Sequence, residues 1–568
     1  MKRFFSFSFV PLLLAMSMAA LFGPSVPAAA QLCLTATCNA ASPAEADVLA
    51  ALPSVANVNP TVVVNIPAGT SAWTTGFSYV VPPLVTNLTI QGVSTISWSG
   101  TAGTSSYSYS VADNTVIQDA YQSNNPLMTI TTGGANTYFR MTGLTIEGGN
   151  TGGSAYSKYN GIIQIFGGSS HNVRFDHIHF NVNTYSAATT STMVRTYAPI
   201  EGVADHNVLD LGNNADYSFG FSIFSAIGDN IGNGDGTFAN PTPWGSASAF
   251  YIENNYLNGG VIDDCGNAGN FVARYNTMND ASVAIQTHGT KTPAGPGRGC
   301  RAYEAYHNYL TGPTGGSQAS AGMGSKNGTA LIWGNTMASG YYRFWQGGGD
   351  RESGDEVETN TPNGWGYCGT AVNGNGVGSQ WDGNQSSSTG YPCLDGLGRG
   401  QTPQAMNGAS FPLRLNSATG TISWPHQYLE PIYMWDNSIG SASYMLITDD
   451  SVNNQDYYYD CGTVNSSCSG GFTGAAGTGY GPLANRPSTC TAGQGGTYFT
   501  SPTGSYGVAY FATDDNNGQG ELYVCSSTNT WTKIYEPFTY PHPLVSGSST
   551  TTSATPPAPT NLQSTVVQ

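Results

Sequence analysis

The amino-acid sequence predicts an all-β chain wound as a right-handed parallel β-helix, and three observations carry that prediction. One phrase recurs: VADHNVL, FYIENNYL, FVARYNTM, YEAYHNYL, ALIWGNTM and PIYMWDNSI align on Asn207, Asn255, Asn276, Asn308, Asn335 and Asn437. The residue three before each asparagine is apolar every time (Ala204, Ile252, Ala273, Ala305, Ile332, Met434), as the inward face of a strand requires. The composition agrees, since 73 glycines with only 9% charged residues suit an all-β chain rich in tight turns. The separations between copies are irregular, so the coils carry insertions. Coils stacked about 4.8 Å apart bring equivalent side chains into ladders, and the asparagines are read as a structural turn ladder.

Period-two alternation turns the residue two before each asparagine to the opposite, outward face. That column reads Asp205, Glu253, Arg274, Tyr306, Trp333, Trp435. A strip of acids, a base and aromatics has no evident packing purpose there, so it marks a candidate substrate-binding groove.

The remaining elements follow in chain order. Lys2 and Arg3, the apolar run Phe4 to Gly23 and the small residues Ala28, Ala29 and Ala30 make residues 1–30 a secretory signal peptide. No later run reaches the length of a membrane-spanning helix, so the expectation is a secreted protein, extracellular or periplasmic. A leader, 31–43, precedes the core, 44–346, which opens with a short helical pattern (Asp47, Val48, Leu49, Leu52) and the strand-and-turn phrase TVVVNIPAGTSAW. VTNLTIQG, YFRMTGLTIEGG, GIIQIFGG and HNVRFDHIHF then read as strands, the last holding Asp176, His177 and His179. Two histidines two apart share a strand face, but without a third ligand they are read as packed or hydrogen-bonded. The loop 228–245 lacks the ligand spacing of a calcium loop and is read as a groove wall. The insertion 347–425, with Trp365 and Trp381, is either a flap over the groove or a disulfide-pinned decoration. Residues 426–545 supply the last coils and a small C-terminal β cap, and 546–568 begin as a Ser/Thr/Pro linker.

Ten cysteines in an exported chain permit disulfides, and sequence neighbours suggest Cys33–Cys38, Cys265–Cys300, Cys368–Cys393, Cys461–Cys468 and Cys490–Cys525. Removing Lys2 and Arg3 from 17 basic residues leaves 15 against 34 acidic ones, a net charge of −19 that argues against nucleic acid as partner. Arg274, Lys291, Arg298, Arg301, Lys326, Arg343 and Arg351 nevertheless concentrate cations in one segment, as an anionic ligand would require. The structural alternative pairs them with Glu253, Asp264, Glu304, Asp350 and Glu352.

The helix followed by V-x-IPAGT-x-x-W resembles the N-terminal cap and first coil of pectate-lyase-like β-helix proteins, in which the helix plugs the open end of the core. The GGVIDDC turn, FVARYN, QTHG and RGCRAYEAYHN together resemble the core of bacterial right-handed parallel β-helix repeat proteins. Their order of acid, Arg, His-Gly, Arg and Glu falls here on Asp264, Arg274, His288, Arg301 and Glu304, which the resemblance therefore implies as catalytic residues. PPAPTNLQSTVVQ resembles the first strand of a fibronectin type III module that then stops.

Three functions remain open. For a polysaccharide lyase, the leading expectation, Arg274, Arg301 or a calcium ion held by Asp263, Asp264 and Glu253 neutralises a uronate carboxylate, and His288 or an arginine takes the adjacent proton. For an inverting glycoside hydrolase, a pair drawn from Glu253, Asp264 and Glu304 flanks the glycosidic bond. For a glycan-binding or adhesive protein the charges are structural. Asp205, Glu253, Tyr306, Trp333, Arg343 and Trp435 are the expected sugar contacts in a monomer acting on a polysaccharide.

Overall fold

The computed structural model describes residues 33–545 except 134–136, 149–157, 159, 168–169, 183–190, 198–199, 213–217, 225–234, 239, 282, 288–298, 314–320, 349–395, 402–428, 448–450, 463–464 and 494–505. The expected signal peptide and the chain beyond 545 lie outside these residues, as does nearly all of the 347–425 insertion.

Three all-parallel sheets of twelve, nine and ten strands run side by side, and the chain visits them in turn, which makes a parallel β-helix. The recurring phrase spans the passage from the first sheet to the second. In the first sheet Phe250–Glu253, Asn270–Arg274, Ala302–Tyr306, Thr329–Trp333 and Ile432–Trp435 are adjacent strands. Their register aligns Glu253 with Arg274, Tyr306, Trp333 and Trp435, the alignment read from the phrase.

The turn after these strands explains why asparagine recurs. The residue before it takes a left-handed conformation (φ 53° at His206, 57° at Asn254, 54° at Tyr275), so the next backbone groups leave the sheet ladder. The asparagine satisfies them. Asn276 Nδ2 donates to Ile252 O at 2.8 Å and to Asn308 Oδ1 at 3.0 Å, while its own Oδ1 accepts the Asn255 amide at 3.0 Å. The same bonds link Asn207, Asn255, Asn276, Asn308, Asn335 and Asn437 without a break. The expected turn ladder is present, and it pairs polar groups that burial would otherwise orphan.

The core fills the helix interior with stacked apolar residues. Ala204, Ile252, Ala273, Ala305, Ile332 and Met434 all lie in it, joined from the second sheet by Leu209, Leu257, Met278 and Leu310. At the N-terminal end the helix Glu45–Ala51 puts Val48, Ala51 and Leu52 into the same cluster, and Trp73 Nε1 donates to Pro43 O at 2.9 Å. Cys33–Cys38, Cys265–Cys300, Cys461–Cys468 and Cys490–Cys525 form disulfides, while Cys368 and Cys393 lie outside the described residues. Among the described residues no helix is long and apolar enough to cross a membrane.

A second core lies outside the coil. The C-terminal sheet Thr478–Gly481, Ala509–Ala512, Glu521–Ser527 and Thr530–Tyr535 packs Phe511, Leu522, Val524 and Tyr535 against Tyr251, Leu331, Trp333 and Trp435. It therefore runs back along the outer face of the first sheet, where the sequence reading expected an end cap and an open groove.

Candidate functional site

The outward column of the first sheet is buried. Asp205, Glu253, Arg274, Tyr306, Trp333 and Trp435 are aligned as expected, but none of them reaches solvent appreciably. Trp333 and Trp435 stack on each other with centroids 5.7 Å apart, and Phe511 of the C-terminal sheet covers both at 5.0 Å. Residues 538–545 continue as a strap over the charged half. Arg274 pairs with Glu253 Oε2 at 2.6 Å and donates to Phe538 O at 2.7 Å and Thr539 O at 2.9 Å. Glu253 Oε1 accepts the His542 amide at 2.8 Å, and Arg174 donates to Leu544 O at 2.9 Å. The strap bonds the charges of the strip that was expected to be an open groove, so that strip is covered and its charges are paired within the chain, as the structural alternative has it.

The implied catalytic set divides accordingly. Arg274, Glu253 and Glu304 do share one patch, since Glu304 stands two residues before Tyr306 on the same strand. Glu304 accepts the Gly245 amide at 2.9 Å, and burial pushes its carboxyl up to about 7. A cavity of about 10 Å³ adjoins it, bounded also by Asn270 and Trp244, with room for about one water. Arg301 is buried apart from them, its Nη2 on Glu430 at 3.0 Å. Arg343 sits in the third sheet, and His288 lies outside the described residues.

The aspartate pair proposed for calcium is split by strand alternation. Asp263 aligns with Phe221 in the inward column that continues to Ile285 and Met323, and burial, reinforced by Asp264, raises its carboxyl well above the ordinary range. Asp264 aligns with Gln286 on the outer face of the third sheet. The two carboxylates face opposite ways and cannot grip one ion, nor does Asp264 share a sheet with Glu304. Among the described residues no group of three metal-ligating side chains converges.

Two open regions adjoin one another on the other side of the asparagine turn. The second sheet presents a half-exposed outer column, Glu147, Asn181, Asp210, Asn258, Asn279. Its members are tied along the ladder: Asn258 Nδ2 donates to Asp210 at 2.6 Å, and Asn279 Nδ2 to Asn258 Oδ1 at 3.3 Å. Tyr256 and Tyr309 are half-exposed beside it. The hairpin Thr95–Ser99 and Ser108–Ala112 reaches across this face, with Tyr109 OH on Asp210 at 3.0 Å. Its tip needs Gly103, because a Cβ there would stand 2.3 Å from His307 O at φ 72°. His179 is fixed between Asp113 at 2.8 Å and Asp210 at 3.0 Å. Burial disfavours its charge, but the two carboxylates outweigh burial and raise its pKa.

At the turn itself one unit is built twice. Arg140 donates through Nε and Nη2 to both oxygens of Asp176, each at 2.6 Å, and His177 Nδ1 lies 2.9 Å from the same carboxylate. One coil on, Arg174 donates to Asp205 at 2.8 and 2.9 Å, and His206 Nδ1 lies 2.9 Å from Asp205. Burial pushes the Asp176 carboxyl up, but hydrogen bonds from Arg140 and His177 hold it below the usual range. The imidazoles of His177 and His206 stack in parallel, 5.5 Å between centroids, and Trp98 of the hairpin meets His206 edge-on at 5.9 Å. The sequence signal was present in the paired Asp-His of FDHIHF and VADHNV, each set at the same distance from the turn.

The fold and its surface thus define a disulfide-bonded parallel β-helix with one outer face covered by its own C-terminal segment and another left open under a hairpin. No protein-family model, curated protein or solved structure matches the chain.

Proposed function

We propose that the protein is an exported monomer that binds an extended extracellular polysaccharide along the outer face of its second sheet. The observation that carries this reading is the half-exposed ladder of Glu147, Asn181, Asp210, Asn258 and Asn279 beside Tyr256 and Tyr309. Amides and carboxylates repeating at the rung spacing offer hydrogen bonds to successive hydroxyls, and tyrosine rings offer apolar faces with a polar tip. An oxidising compartment, where disulfides persist, is where such polymers are met.

Cleavage is the second reading, favoured by the position of Glu147 and Asp210. They stand two rungs apart through Asn181, so the carboxylates are separated by roughly 9–10 Å, near the range that leaves room for water in an inverting hydrolase. The lyase expectation loses Arg274 and Glu304 to the cover and Arg301 to Glu430, and calcium loses the Asp263–Asp264 pair, so elimination needs a base and a cation from elsewhere.

Affinity electrophoresis on acidic and neutral polysaccharides, with and without calcium, tests binding, while new reducing ends and ultraviolet absorbance of unsaturated uronates report cleavage. Retention that is weakened by Tyr256→Ala and Tyr309→Ala supports the reading. Retention by no polymer refutes it. Reducing ends that rise without absorbance and vanish in Glu147→Gln select the hydrolase.

A further inference from the structure

We propose that the outer face of the first sheet, where it is open over the N-terminal coils, is the docking site of the chain's own Ser/Thr/Pro segment beyond Val545, with Arg140 as the clamp that holds its first carbonyls. The direction of the strap argues for it. In chain order, Phe538 O and Thr539 O meet Arg274, the His542 amide meets Glu253, and Leu544 O meets Arg174. Those partners lie on Asn270–Arg274, Phe250–Glu253 and Ser170–Asp176, so the strap advances coil by coil toward the N-terminal edge of the sheet.

The sheet continues beyond the last contact. Tyr138–Thr142, Asn87–Gln91, Thr61–Asn65 and Thr37–Asn39 follow in that order. Leu88, Ile90, Val62 and Val64 of these strands point into the core, so the alternate residues form the outer face. There Thr89, Gln91, Val63 and Asn65 are half-exposed, and Thr37 and Asn39 are exposed.

Arg140 stands where the cover stops and repeats the arrangement of the arginine beneath it. Arg174 directs Nε and Nη2 at Asp205, at 2.8 and 2.9 Å, with Nε also 3.2 Å from Asp176, and donates Nη1 to Leu544 O at 2.9 Å. Arg274 likewise places Nη1 on a strap carbonyl, that of Phe538. Arg140, in register with Arg174, directs Nε and Nη2 at Asp176, each at 2.6 Å. It is 30% exposed, and among the described residues its Nη1 has no hydrogen-bond partner. One rung of about 4.8 Å corresponds to roughly one and a half residues of extended chain, which brings the carbonyl of Ser546 or Gly547 over Arg140.

The chemistry of the face fits this occupant. Two guanidiniums, Arg140 and Arg174, face two carboxylates, Asp176 and Asp205, so no net charge remains to hold an anion, and the spare donor suits a neutral carbonyl. Beyond Arg140 the outer side chains named above are uncharged, and Gln91, Asn65 and Asn39 are joined by amide bonds of 2.7 and 2.8 Å. Residues 546–568 contain no charged side chain either. Four rungs span roughly 19 Å, about six extended residues, and 23 residues follow Val545. The linker therefore leaves the molecule over the N-terminal coils, clear of the open face of the second sheet.

The test places the photo-crosslinker p-benzoylphenylalanine at Ser548 of the full chain and maps the products by mass spectrometry, beside a melting curve. The expected result is an intramolecular crosslink to residues 87–91 or 138–142. In Arg140→Met its yield should fall about two- to fivefold, as for a docking equilibrium weakened about tenfold by loss of a charged donor. Arg140→Lys keeps the charge beside Asp176 without the guanidinium fork, so the yield should fall there as well, with melting unchanged. Crosslinks spread over other surfaces, or confined to dimers of the chain, overturn the docking. A crosslink at 87–91 or 138–142 that persists undiminished in both variants overturns the role of Arg140.

Discussion

Replacing Arg274 with methionine should release the strap while leaving the coil wound. The guanidinium is fully buried and pairs with Glu253 at 2.6 Å, so its removal leaves an uncompensated buried carboxylate, a defect of about 3–5 kcal/mol. Phe538 O and Thr539 O lose their donors at the same time. The remaining ties are the His542 amide on Glu253, Tyr540 OH on Asn254 Oδ1 at 2.6 Å, and Arg174 on Leu544 O. A stacked-coil protein opens in parts, so the appropriate measurement is hydrogen exchange of the strap and not a global melting point. The His542 amide should exchange about 10²-fold faster or more, since each 1.4 kcal/mol is tenfold, with amides of the inner strands unaffected. Converting Glu253 to leucine in the same chain should not restore protection at His542, because it removes the orphan charge but also the acceptor of that amide. Unchanged protection at His542 in Arg274→Met would refute the view that this ion pair holds the cover down.

Other consequences are independent of the strap. Burial raises Glu304 from 4.5 to about 7, so its contribution to stability is fully present below pH 4.5 and lost as pH rises through about 7; Glu304→Gln should flatten part of the fall in melting temperature between pH 5 and 8. Only part is expected, because burial raises Asp460 to about 7 as well; an identical slope in the variant would count against this. Asn276→Ala removes the acceptor of the buried Asn255 amide and one donor to Ile252 O, and should cost roughly 1–3 kcal/mol in urea unfolding. Asp263→Val replaces a carboxyl in the apolar column between Phe221 and Ile285 with a side chain of similar size, and should stabilise by about 1–3 kcal/mol; a loss of stability would mean that the carboxyl is paired after all.

The coil was legible because its signals are local. Each phrase contains its inward apolar residue, its outward residue and its asparagine within four positions, and the register of the first sheet follows directly. Sequence proximity also suggested the four disulfides that the described residues contain. What lies over the outward column was not legible, because Arg274 meets Phe538 across 264 residues and no local pattern announces the meeting. Asp263 and Asp264 part for a local reason: the alternation that sorts Glu253 from Ile252 applies equally to them and sends one carboxylate inward. His177 and His206 carried a visible repeat, but their arginines come from the preceding coil, and the unit appears only when coils are stacked.

The contrast between the two outer faces indicates why one is covered. A column that interleaves ions with indoles cannot be content in water, because Trp333 and Trp435 favour burial while Glu253 and Arg274 resist it. A second layer resolves the conflict only if it brings apolar side chains to the indoles and backbone dipoles to the charges. The C-terminal segment does both, with Phe511 over the tryptophans and the carbonyls of Phe538 and Thr539 on Arg274. The second sheet has no such conflict. Its outer column is amide and carboxylate, already tied along the ladder and stable in water, so nothing requires that face to be covered before a ligand arrives.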